Sequence, residues 1–171
     1  MATSSSSEMC FAAHTSPIAP TPTFLSSSYL PDAMRRPGTK FGGTEDQPPI
    51  PVVTGKLRYR KPIMVGDVLF LKQATSKTAK FTIPLPSMLH LRAGRAGISR
   101  DTYPDMTPFW EDAAIAYRAA IGAFGEAGCT YLQLDDVAFA YLCDPKIRDN
   151  CRKNGDDPDA LPLLYADTIN R

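Results

Sequence analysis

The sequence has no excess of charge of either sign: 19 basic residues stand against 18 acidic ones, for a formal net charge of +1. It therefore lacks the field that would draw it to nucleic acid or to an anionic membrane, and neither is expected as a partner. It also lacks any apolar run near the roughly 18 to 20 residues that a bilayer span requires. Cysteine is sparse. Cys10, Cys129, Cys143 and Cys151 never form a C-x-x-C pair, and nothing ahead of them looks like a secretory signal. Reduced thiols inside a cell fit this usage, so a cytoplasmic location is the expectation.

What is present is ordinary for a soluble globular chain, with 43% hydrophobic and 22% charged residues in a length of 171. The hydrophobic residues are unevenly placed. Of the first 40 residues, 18 are Ser, Thr or Pro, and from Ser4 to Pro37 neither a helical nor a strand period can be found. This stretch is Ser-rich and acid-poor, as transit peptides are, but Arg35 and Arg36 come late and no basic amphipathic face forms. Residues 1–49 are read as a disordered leader followed by a linker that closes on Pro48 and Pro49. Residues 50–171 are read as the folded domain.

Within that domain Pro51 to Leu57 is a short β-branched run, and Val65 to Thr75 has apolar residues near helical spacing. Lys80-Phe81-Thr82-Ile83-Pro84 reads as a second strand, stopped by Pro84 and Pro86 because proline cannot donate to a ladder. Ser87 to Met106 reads as a long loop. Thr107 is placed to cap a helix that begins at Pro108. Its residues Phe109, Ala113, Ala116, Ala120, Phe124 and Ala127 recur at steps of three and four. Gly128 is suited to end that helix. A third strand, Cys129 to Leu134, runs into Asp135-Asp136. A polar stretch from Asp144 to Asp159 follows, then a final helix through Leu161, Leu164, Tyr165 and Ile169. Three alternations of strand and helix imply a parallel sheet with right-handed crossovers.

In parallel α/β sheets ligands lie at the carboxyl ends of strands, which singles out Asp135 and Asp136. Adjacent carboxylates leaving a strand point to opposite sides, so one can face a ligand while the other pairs with the surrounding shell. The segment Leu132-Gln133-Leu134-Asp135-Asp136-Val137-Ala138-Phe139 resembles Ile-Gln-Ile-Asp-Glu-Pro-Ala-Leu of the cobalamin-independent methionine synthase family. The likeness is closer to the short, single-barrel members of that family. Their sequences contain strings similar to FTIPLPSMLHLRAGRAGISRDTYPDM and YLQLDDVAFAYLCDPKIRDNCRKNGDDPDALP.

The resemblance implies a TIM-type (β/α) barrel, of which about three βα units are represented here, since a closed barrel takes at least about 200 residues. It implies methyl transfer from 5-methyltetrahydrofolate to the sulfur of homocysteine or another small acceptor, in methionine biosynthesis or in a specialised, secondary pathway. It makes Asp135 the residue that contacts the acceptor's amino group. Asp136 stands where the family has glutamate, and Val137 where it has proline. Zinc is expected in full-length members, where it stabilises the thiolate, but its His-x-Cys, glutamate and second cysteine ligands belong to later strands. No metal ligand is therefore assigned. His90 has no cysteine two residues on, and His14 lies in the leader.

Arg92, Arg95 and Arg100, in the loop after the second strand, are candidates for the carboxylates of a folate tail, which guanidinium groups hold in bidentate fashion. Tyr131 and Trp110 read as packing residues. Two functions follow. One is a methyltransferase-like protein taking a small thiol and a folate. The other is a truncated barrel without zinc that serves as an accessory or binding protein. An open parallel sheet is expected to leave free edges and a half-exposed apolar face, to be covered by a homo-oligomer or a partner.

Overall fold

The computed structural model describes residues 51–171, so the leader and linker expected over 1–49 lie outside the described residues. Helix α1 (Val65–Ala74) comes first, followed by strand β1 (Lys80–Pro84), helix α2 (Thr107–Glu126) and strand β2 (Tyr131–Asp135). Three further helices complete the chain: the single turn α3 (Ala138–Tyr141), then α4 (Pro145–Lys153) and α5 (Leu161–Asn170). The two strands pair in parallel, with Phe81 opposite Leu132 and Ile83 opposite Leu134, so β1, α2 and β2 form one βαβ unit.

Local sequence explains each boundary. β1 ends where Pro84 and Pro86 remove ladder donors. Thr107 proves to be the first residue of α2 rather than its cap. The Asp105 carboxylate accepts the Thr107 backbone N–H at 2.7 Å instead, which satisfies one of the donors a helix start leaves open. At the other end Gly128 takes φ +79, and the Lys72 ammonium donates to the Ala127 carbonyl at 3.0 Å. Ala113, Ala116 and Ala120 are buried along one stripe of α2, where small side chains let the helix lie close to the sheet.

Three expectations are corrected. Pro51 to Leu57 is not a strand. It makes one parallel bridge, Val53 to Ile98, closed by Val53 N–H to Gly97 O and Ser99 N–H to Val53 O, both at 2.8 Å. Its partner is the loop after β1 rather than β1 itself, so among the described residues the sheet has two strands instead of three. The loop from Ser87 to Met106 contains two 3-10 turns, Pro86–Leu89 and Gly94–Gly97. The polar stretch after Asp144 contains α4, whose first turn is capped by the Asp144 carboxylate on the Lys146 N–H at 2.7 Å.

One core cluster runs from Val53 and Leu57 through Ile83, Phe109 and Trp110 to Leu161 and Tyr165. The sheet meets it on one face only. Ile83 is buried, Phe81 packs on Phe124 with ring centroids 5.3 Å apart, and Leu134 lies beside Ala114 and Tyr117 of α2. The other face carries Lys80, Thr82, Tyr131, Gln133 and Asp135, of which only Gln133 is partly buried. The uncovered face is thus largely polar, while Phe81, Leu132 and Leu134 on the face toward α2 are only partly buried.

Candidate functional site at the carboxyl edge of the sheet

β1 and β2 end together, and the Leu85 N–H extends the ladder by donating to the Asp135 carbonyl at 3.2 Å. The acidic pair then divides as strand alternation requires. The Asp135 side chain is exposed on the polar face. Asp136 turns into the shell, where its Oδ1 accepts the Ala138 N–H at 2.7 Å and the Ser87 hydroxyl at 3.4 Å. Its Oδ2 is buried and has no hydrogen-bond partner among the described residues.

Behind Asp136 lies a buried polar group that the sequence did not reveal. Ser87 is 1% exposed and His90 2%. The His90 Nδ1 shares a hydrogen bond of 3.0 Å with the Tyr165 hydroxyl, and its Nε2 lies 3.5 Å from the Asp156 carboxylate. The imidazole packs against Trp110 at 5.2 Å and against the Tyr165 ring at 6.1 Å between centroids. Burial pushes the Tyr165 phenol far above its ordinary value, and the nearby Asp156 and Asp136 carboxylates add to the effect. The helical stripe of Leu161 and Tyr165 signals that Tyr165 is buried, but nothing local signals that His90 is its partner.

The candidate arginines share one loop but differ in surroundings. The Arg95 guanidinium donates to the Ile98 carbonyl at 2.7 Å and to the carbonyls of Tyr103 and Pro104, so it pins the loop's own backbone. Arg92 is partly buried, and Arg100 is exposed. On the far side of the same loop the Tyr103 hydroxyl accepts the Leu57 N–H at 2.7 Å and donates to Asp112 at 2.8 Å. Burial pushes its phenol above the ordinary range as well. The Lys56 ammonium sits 3.4 Å from Asp112 and 4.3 Å above the Tyr103 ring. With Arg58, Tyr59 and Asp112 it lines a polar recess of about 360 Å³.

Among the described residues no three His, Cys, Asp or Glu side chains converge in a way that could hold a metal ion. Cys129, Cys143 and Cys151 are free thiols, partly buried, exposed and buried respectively. No described helix is long and apolar enough to cross a membrane.

The fold and this edge define a parallel α/β unit that presents an acidic residue where such sheets bind small molecules. No family model matches the chain. It is 40% identical over 134 residues to the uncharacterized protein YxjH of Bacillus subtilis, a match covering 78% of this chain and 35% of that protein. To YxjG of the same organism it is 39% identical over 120 residues, covering 69% and 31%. Among solved structures it matches a Listeria monocytogenes protein that carries the provisional name of vitamin-B12-independent methionine synthase. That match has a TM-score of 0.57 and 38% identity, over 69% of this chain and 35% of the other. The chain therefore spans about a third of the length of these relatives. At the level of fold, the likeness to the cobalamin-independent methionine synthase kind stands.

Proposed function

We propose that the chain is the acceptor-binding part of a methyltransferase-like (β/α) barrel of the cobalamin-independent methionine synthase family. Its substrates are a folate methyl donor and homocysteine or another small thiol. One observation carries this reading: Asp135 stands exposed at the carboxyl end of a parallel strand, in a chain 38% identical to the Listeria protein over the matched part. Asp135 holds the acceptor's amino group by charge-assisted hydrogen bonding. Asp136 anchors α3 and Ser87 behind it. Arg92 and Arg100 meet the carboxylates of the folate tail, while Arg95 holds the loop in shape. Methionine biosynthesis, or a specialised pathway that uses the same chemistry, is the setting, and a cytoplasmic location belongs to the same proposal.

Methyl transfer to sulfur needs a thiolate, which in this family a zinc ion stabilises. The described residues do not fit such a zinc. His90 is the only described histidine, both its ring nitrogens face Tyr165 and Asp156, and no other ligand set forms. No step is routed through the metal. A second reading is that the unit binds a small molecule as an accessory protein without turning it over.

The deciding experiment is methyl transfer from 5-methyltetrahydrofolate to homocysteine by the purified chain, with metal content measured in the same preparation and Asp135→Ala as control. Turnover lost in the variant supports the first reading. Homocysteine binding that needs Asp135, without turnover, supports the second. Absence of both binding and turnover overturns both.

A further inference from the structure

We draw no further inference here: the strongest candidate, the buried cluster of His90, Tyr165 and Asp156 between the loop after β1 and α5, has both imidazole nitrogens facing partners within the chain and belongs to the packing already described.

Discussion

Gly94 adopts φ +55, and a Cβ built on it would lie 2.6 Å from the Asp156 carboxylate and 3.0 Å from the Asn154 Cβ. Both conformation and space exclude a side chain there. Gly94→Ala should lower stability by about 1 to 3 kcal/mol, read from urea unfolding. Because Asp156 also faces His90, the same change should alter the near-ultraviolet signal of Trp110, the ring packed on that imidazole. Among the cysteines, burial and the nearby Asp156 charge push the Cys151 thiol above its ordinary value, and Cys143 is exposed. Iodoacetamide at about pH 8 should therefore label Cys143 quickly and Cys151 only on unfolding. At the start of α2 the Thr107 backbone N–H holds the Asp105 carboxyl below its ordinary value of 3.8. A carboxyl with a depressed folded pKa contributes stability above its unfolded pKa, and the contribution is lost as pH falls through the folded one. An NMR titration should place the Asp105 midpoint below 3.8, and Asp105→Asn should remove that part of the acid response.

At the scale of elements, α2 is the piece through which sequence pattern becomes tertiary structure. Ala113 is fully buried and Ala116 nearly so, at 0% and 1% exposure, which shows how closely the helix lies to its neighbours. Ala113→Leu should overpack this contact and cost about 1 to 3 kcal/mol in denaturant unfolding. Helix α4 is the opposite case: Cys151 is its buried residue and Ile147, one turn earlier, packs against the core, so its apolar stripe is only two residues in an otherwise polar segment. What holds its start is the Asp144 cap, and Asp144→Ala should cost about 1 kcal/mol.

At the scale of the whole molecule, the core is continuous from the bridge at Val53 to Tyr165 in α5, so the described elements share one set of buried contacts. Unfolding followed by far-ultraviolet circular dichroism and by the fluorescence of the single tryptophan should give coincident curves. Ile83, 1% exposed, sits where the sheet meets that core. Ile83→Ala should move both curves together and cost about 2 to 5 kcal/mol. Separated transitions would mean that the α4 and α5 region folds apart from the βαβ unit. Both outer strand edges are unpaired among the described residues.

Much of this was determined locally. β1, α2 and β2 were legible because alternation, an alanine stripe and the prolines after Pro84 are signals carried within a few residues. The opposite orientations of Asp135 and Asp136 followed from the two-residue period of a strand. Other features depended on distant partners. Whether Pro51 to Leu57 would become a strand was decided by its bridge to Ile98, far along the chain. The role of Asp105 in place of Thr107 was a matter of which oxygen reached the first helical N–H. His90 and Tyr165 are 75 residues apart, and no local period links them. Only packing α5 against the loop after β1 brought imidazole, phenol and the Asp156 carboxylate together, because buried polar groups must find partners in space rather than in sequence.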